Sequence, residues 1–490
     1  MKNTKINTVI IALAVCMLVT GCGNASLDST ASKESTASES AVTYTDSSSA
    51  EESSSETKAE TSKTTTTTTT ASSKAESSSE TEESAAAKSS KSGVSVEDKS
   101  SAAEPVTSGT VAKSESAASV VSAVEGSKLD VSDMFTNRDL EQTADTNDAE
   151  SITAESGKTV EITEAGVYVI SGTASNFTVK VNAGDDDKVQ LVLDSLNVTN
   201  DSTPAIYVVN ADKVFVTTAS DSSLSTTGSF TADGDTNTDA VIYSKDDIVL
   251  NGTAALSITS TANGITGKDD LKVTGGTYSI TSALDAIEAN DSIRISGGSF
   301  TINSSKDGLH AENSDDNTLG YIYISGGTFN ITAASDGIQS TTVAQIDGGT
   351  FNISASEGIE STYVQINGGS ITISASDDGV NAANKSSSET VTFEMTGGEL
   401  TITMASGDTD AVDSNGNVKV SGGTVNITCP TQGTAESFDY DGTATYTGGT
   451  IVINGEQVDS IPTPMMMGGG MRGGNMGGQM GGNMGGFGRR

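Results

Sequence analysis

Paired glycines recur through the second half of the chain, at Gly275-Gly276, Gly297-Gly298, Gly326-Gly327, Gly348-Gly349, Gly368-Gly369, Gly397-Gly398, Gly422-Gly423 and Gly448-Gly449. Successive pairs lie 22, 29, 22, 20, 29, 25 and 26 residues apart. A repeat of this length restricts the fold to stacked units. Setting the glycines in register aligns whole columns of apolar residues. Two residues before the pair stand Val273, Ile295, Ile324, Ile346, Ile366, Met395 and Val420. Three after the first glycine stand Tyr278, Phe300, Phe329, Phe351, Ile371, Leu400, Val425 and Ile451. Two further on stand Ile280, Ile302, Ile331, Ile353, Ile373, Ile402, Ile427 and Ile453. Thr, Ser and Asn fill the alternate positions, so each strand has one apolar side. One repeat cannot bury that side, whereas stacked repeats build a continuous core. The unit reads strand, Gly-Gly bend, strand, short turn, strand, which predicts an all-β chain folded as a parallel β-helix with coils about 4.8 Å apart. Propeller blades need about 40–45 residues, and spacings that grow from 22 to 29 suit loops inserted into a coil better than a propeller or a sandwich. Residues 127–250 repeat more weakly, as in Val189-Gln190-Leu191-Val192-Leu193 and Ala205-Ile206-Tyr207-Val208. They read as the first, irregular coils and an N-terminal cap, which places the β-helix domain over 127–461.

The flanks are different polymers. Two lysines within Met1 to Lys5, a short apolar run and Val19-Thr20-Gly21-Cys22 make residues 1–21 a lipoprotein signal peptide, with Cys22 the acylated residue. The alternative, an uncleaved span, needs about 20 apolar residues, more than the run supplies. Residues 22–126 are rich in Ser, Thr, Ala and Glu and nearly free of large apolar side chains, which predicts a disordered stalk. About 100 residues of coil span on the order of 55 Å, and roughly 330 Å when extended. The expected location is therefore the extracellular face of a cell membrane, with the lipid as the only membrane contact and the domain projecting through or along a wall. Residues 462–490 form a Met/Gly-rich tail that reads as non-folding, although thioethers can also bind soft copper. With Cys16 removed and Cys22 acylated, Cys429 is the one free thiol, so no internal disulfide holds the fold.

A second set of columns carries the chemistry. About ten residues after each Gly-Gly comes an acid, a small residue, an apolar residue and another polar one. The instances are Asp285-Ala286-Ile287-Glu288, Asp307-Gly308-Leu309-His310, Asp336-Gly337-Ile338-Gln339, Glu357-Gly358-Ile359-Glu360, Asp378-Gly379-Val380-Asn381 and Asp410-Ala411-Val412-Asp413. Asn263-Gly264-Ile265-Thr266 and Asp239-Ala240-Val241 fit more loosely. With the apolar residue inward, the polar ones project from one edge, and stacking makes two oxygen-rich ladders. Asp-Gly is also simply a good turn; that explains the first ladder but not Glu288, Glu360 or Asp413 at the fourth position. Carboxylates about 4.8 Å apart repel by roughly 0.9 kcal/mol even at water's dielectric constant, and cations between them relieve it. Hard oxygen ligands in a flexible array suit Ca²⁺. The candidate ligands are Asp285, Glu288, Asp307, His310, Asp336, Glu357, Glu360, Asp378, Asn381, Asp410 and Asp413. Both 29-residue repeats place their extra residues after this motif, at 311–320 and 382–390, where they can wall a groove. A stretch at 233–239 resembles the start of an EF-hand loop, with Thr238 where the glycine belongs.

These features together resemble the clostridial carbohydrate-binding β-helix family over about residues 131–461. The likeness runs through Ser132-Asp133-Met134-Phe135-Thr136-Asn137-Arg138-Asp139-Leu140, Ile162-Thr163-Glu164-Ala165-Gly166-Val167-Tyr168, Ala240-Val241-Ile242-Tyr243-Ser244-Lys245-Asp246-Asp247 and the Asp-Gly-Ile coils. It ends in a closing coil from Pro430-Thr431 to Asp439-Tyr440, with Cys429 where a glycine is common. The resemblance implies a right-handed parallel β-helix shaped like pectate lyases, binding Ca²⁺ and plant-type polysaccharides (cellulose and acidic pectin) without an established activity. Asn263 and Gln339 depart from the acidic pattern, so not every coil need hold a metal.

Three functions stay open on the residues alone. A net charge of −39 excludes nucleic acid and disfavours anionic partners unless Ca²⁺ bridges them. A Ca²⁺-dependent, non-catalytic polysaccharide-binding protein fits, with polygalacturonate or a cellulose-like glycan as partner. With no tryptophan, and most Tyr and Phe in apolar columns, a flat aromatic cellulose platform has little support. A Ca²⁺-dependent lyase would need an Arg or Lys base; Arg138 and Arg294 are the only arginines in 127–461, and Lys268, Lys306 and Lys385 lie near the ladder. Paired carboxylates also occur in glycosidases, but a ladder over many coils is a poor match to one acid/base pair. A surface adhesin that binds protein is the third reading.

Overall fold

The structure, a computed structural model, describes residues 125–464 apart from 408 and 433. Cys22, the signal peptide, the stalk and the Met/Gly tail lie outside the described residues.

Thirty-six strands and no helix occupy the described residues. Except for a closing antiparallel pair at Ile451–Ile453 and Glu456–Val458, the strands pair in parallel with the equivalent strand of the next coil. Three faces result, and the chain is a parallel β-helix. The first face carries the strand before each Gly-Gly, the second the strand after it, and the third the strand with the acidic motif. The third face is a sheet of twelve strands.

The Gly-Gly bend has two causes. The second glycine of each pair has positive φ, 112° at Gly298 and Gly327, where a side chain would be strained. The first sits against the coil below, where a Cβ on Gly326 would lie 2.7 Å from the Ser296 carbonyl oxygen. The apolar columns meet inside as the alternation requires. Phe300, Phe329 and Phe351 stack with parallel rings at 4.6 and 4.5 Å, and Tyr278 continues the stack at 5.2 Å.

The N-terminal part differs from its expected role. Residues 125–149 form no coil. They run as a strap over the outward side of the first face. Gln365 and Gln345 accept backbone N–H groups from Lys128 and Leu129 at 2.8 Å. Val131, Met134 and Phe135 pack on Tyr323. Further on, the fully buried Asp139 meets Lys272 at 3.4 Å and Lys213 at 3.8 Å. The strap buries polar residues that a bare β-helix would expose. Arg294 does point outward from its strand, but it lies against Asp270 at 2.7 Å.

Candidate cation and glycan site

On the third face the apolar residues Ile265, Ile287, Leu309, Ile338, Ile359, Val380 and Val412 are fully buried and aligned coil to coil. The pleat turns the next residue outward. Strand register aligns Thr266, Glu288, His310, Gln339, Glu360, Asn381 and Asp413 in one column, as the spacing predicts. The column continues to Asp439 at one end and through Tyr243, Tyr207 and Lys180 to Glu161 at the other. Those members escaped the sequence reading because their coils lack the full motif in register: Asp239-Ala240-Val241 lies one residue out of step, since Ala240, not Asp239, pairs with Asn263. Tyr207 and Tyr243 lie on this face with ring centroids 5.9 Å apart, but both are buried and form no open platform.

The first acidic column behaves differently from a row of projecting ligands. Asp285, Asp307 and Asp336 are at most 5% exposed. The Oδ1 of Asp285 accepts the backbone N–H of Asp307, and that of Asp307 accepts the N–H of Asp336, both at 3.0 Å. Asp378 serves Asp410 and Asp410 serves Glu436 in the same way, at 2.9 Å. These carboxylates are rungs that satisfy buried backbone donors between coils. Asn263 does the same for Asp285 at 3.0 Å, which is why an amide substitutes there. The series breaks at Glu357, whose N–H bonds to the Ser335 carbonyl oxygen at 3.3 Å instead.

Among the described residues, two groups of side chains bring their ligand atoms within 4.8 Å of one another: Asp285, Asp307 and His310, and Asp336, Glu357 and Glu360. The first already holds a cation of its own. Lys306 Nζ is 2.8 Å from Asp285 and 3.4 Å from Asp307, and His310 Nδ1 is 3.1 Å from Asp285. Burial opposes ionisation of Asp285, but His310 and Lys306 outweigh it and hold its carboxyl well below the usual range.

The second group is short of positive charge. Burial, then the neighbouring Asp307, Glu357 and Glu360 charges, push the Asp336 carboxyl well above the carboxylate range. Burial and then Glu360 push Glu357 up to about 7. Among the described residues one ammonium is paired with the group, Lys385, 2.6 Å from Glu360 Oε2. Amide donors complete it: Gln339 to Glu360 at 2.7 Å and Asn381 to Glu357 at 3.0 Å. Three converging carboxylates, two of them (Asp336 and Glu357) held toward their protonated form for want of counter-charge, are a hard-oxygen donor set a divalent cation fits.

The other predicted ligands are not brought into these groups. Glu288 is taken up by Asn263 at 2.6 Å, Thr266 at 3.0 Å and Lys268 at 3.4 Å. Asp378 and Asp410 are pushed to about 6 and Asp413 to about 7, first by burial and then, apart from backbone hydrogen bonds that lower the first two, by other acids of the ladder, Asp439 among them. Their oxygens do not gather as tightly. The stretch at 233–239 contains a turn closed by reciprocal backbone bonds between Asp233 and Thr236 at 3.0 Å.

The two inserted loops wall the ladder beside the second group. Ser386 Oγ donates to the Asn317 carbonyl oxygen at 2.6 Å, and Asn317 Nδ2 donates to Ser387 Oγ at 2.9 Å. A cleft of about 250 Å³ is lined by His310, Glu312, Gln339, Ser340, Thr341 and Lys385.

A model of the carbohydrate-binding domain-containing protein family matches residues 156–409 and 356–463, which takes in nearly all the coils. The chain belongs to this family. A relative from Acetivibrio thermocellus, described as a carbohydrate-binding domain-containing protein, is 36% identical over 126 residues, 25% of this chain and 44% of the relative. The chain thus spans under half the length of that relative. A solved structure of a polysaccharide lyase-like protein from C. thermocellum, in a gadolinium derivative, aligns at 29% identity and a TM-score of 0.38, covering 46% of this chain and 93% of the other.

Proposed function

We propose that this domain binds an acidic polysaccharide of the polygalacturonate type, without cleaving it, through Ca²⁺ held by Asp336, Glu357 and Glu360. The carrying observation is the convergence of three carboxylates, with Asp336 and Glu357 pushed above the carboxylate range and one ammonium paired with the group among the described residues, directly beside a walled cleft. Bound Ca²⁺ would supply the charge that lets a sugar carboxylate approach a domain that otherwise repels anions. The chain's own part is to hold the ligand oxygens together on two successive coils and to shield them with the loops.

Binding without cleavage rests on the candidate bases. Lys306 has lost some basicity to burial, but its bonds to Asp285 and the charge of Asp307 more than restore it and keep it protonated. Such a lysine is a poor proton acceptor. A cellulose-like partner would have to use a different surface. The outward column of the second face, Thr301, Asn330, Asn352, Thr372, Thr401 and Asn426, is uncharged and offers no aromatic ring. We further propose that Cys22 is lipidated and tethers the domain outside the cell, so that Cys22→Ala moves the protein from the membrane to the soluble fraction.

Retention on insoluble pectin and on cellulose, in Ca²⁺ and in EDTA, tests the reading. Ca²⁺-dependent retention on pectin that disappears in Asp336→Asn and Glu360→Gln is the expected outcome. Retention on neither glycan would leave an adhesin that binds protein. Unsaturated oligosaccharides in the wash would select a lyase.

A further inference from the structure

Lys385 stands where the cation group and the cleft meet. Its side chain lines the cleft and reaches Glu360 Oε2 at 2.6 Å. Its backbone is fixed: Thr362 Oγ1 accepts the N–H groups of Lys385 at 3.1 Å and Ser386 at 2.8 Å. Ser386, 4% exposed, in turn clasps the opposite loop. The stem of Lys385 is anchored, while its side chain keeps 30% exposure and can turn into the cleft.

An ammonium and a divalent ion compete for the same carboxylate oxygen. Without the ion, Lys385 neutralises Glu360; with Glu360 engaged by the ion, the ammonium loses that partner and is repelled by the new charge. The cleft is the open space it already lines. We propose that Lys385 is an ion-released anchor for a sugar carboxylate: it leaves Glu360 when a divalent cation occupies Asp336, Glu357 and Glu360, and then pairs with a uronate in the cleft. This rests on the reading above and deepens it by naming the residue that selects an acidic sugar over a neutral one. Ion and sugar binding are then positively coupled, each raising the affinity for the other.

The variant Lys385→Met makes two opposite effects on one protein. Loss of the competing ammonium raises Ca²⁺ affinity in the absence of sugar by about two- to five-fold. Loss of a charge-assisted hydrogen bond lowers trigalacturonate affinity at saturating Ca²⁺ by at least about ten-fold. Titration calorimetry of the full-length protein with Ca²⁺ alone, then with trigalacturonate at saturating Ca²⁺, reads both. Lys385→Arg restores most of the sugar affinity, and unchanged thermal melting of both variants shows that the fold is intact. If Lys385→Met binds trigalacturonate as tightly as the wild type, the anchor is refuted while the Ca²⁺ and pectin reading stands. Equal wild-type affinity for a neutral trisaccharide refutes it as well. If the wild type binds no Ca²⁺, the functional reading falls and takes the anchor with it.

Discussion

Glu357→Gln tests the second carboxylate group through stability, before any ligand is added. Glu357 has an ordinary value of 4.5 and is pushed to about 7 in the fold, first by burial and then by Glu360. The unfolded chain gives up this proton near 4.5, whereas the folded chain holds it until about 7. Between those values the folded state binds more protons, so stability falls as pH rises and the loss is complete above about 7. At 1.36 kcal/mol per pKa unit, the displacement corresponds to about 3.4 kcal/mol for a fully sequestered group. Glu357 keeps a solvent-facing edge, and screening brings this to roughly 1.5–2 kcal/mol. Glutamine is neutral at every pH and keeps an oxygen to accept the Asn381 amide, which Glu357 binds at 3.0 Å. Glu357→Gln is therefore expected to be more stable than the wild type at pH 8 in EDTA, and equal to it at pH 4. In a domain of this size the gain is a rise in Tm of about 2 °C per kcal/mol or less. In saturating Ca²⁺ at pH 8 the order reverses, because the wild type gains binding energy that the variant has lost. Thermal melts at two pH values, with Ca²⁺ and with EDTA, give all four comparisons. A variant that melts at or below the wild type at pH 8 in EDTA would refute the claim that these carboxylates are held together against their charge.

Four further outcomes follow. Ca²⁺ affinity should rise from pH 5 to pH 8 with proton release, since Glu357 (about 7) and Asp336 must shed protons to become ligands; calorimetry in buffers of different ionisation enthalpy measures this. Asp307→Ala should cost about 1–3 kcal/mol by orphaning the buried Asp336 N–H it binds at 3.0 Å, while Asp307→Asn, which keeps that acceptor, is nearly neutral in denaturant melts. Phe329→Ala removes the middle ring of a stack spaced at 4.6 and 4.5 Å and should cost about 3–5 kcal/mol, seen as a lower denaturation midpoint. Cys22→Ala should leave glycan retention unchanged while abolishing membrane association in cell fractionation.

The β-helix could be read from residue order because its coils repeat. Each Gly-Gly bend, each Ile of the inner columns and each Asp-Gly turn is a local requirement met again every coil, and stacking forces equivalent residues into register. The outward column from Thr266 to Asp413 was legible for that reason. What the residue order did not reveal depends on contacts between segments without the repeat. The strap at 125–149 has no periodicity to announce it, and it reaches Gln365, more than two hundred residues away, through hydrogen bonds that only folding creates. Nor does an Asp in a repeated turn reveal whether its carboxylate faces an ion or a backbone N–H. Asp307 caps the next coil, whereas Asp336 is left among acids because its counterpart on the next coil is Glu357, whose N–H bonds elsewhere. That single change in hydrogen bonding, together with the placement of Lys385 by its loop, separates a structural rung from a candidate ion ligand. Local sequence therefore determined the coil, and tertiary contacts decided which coils carry unbalanced charge.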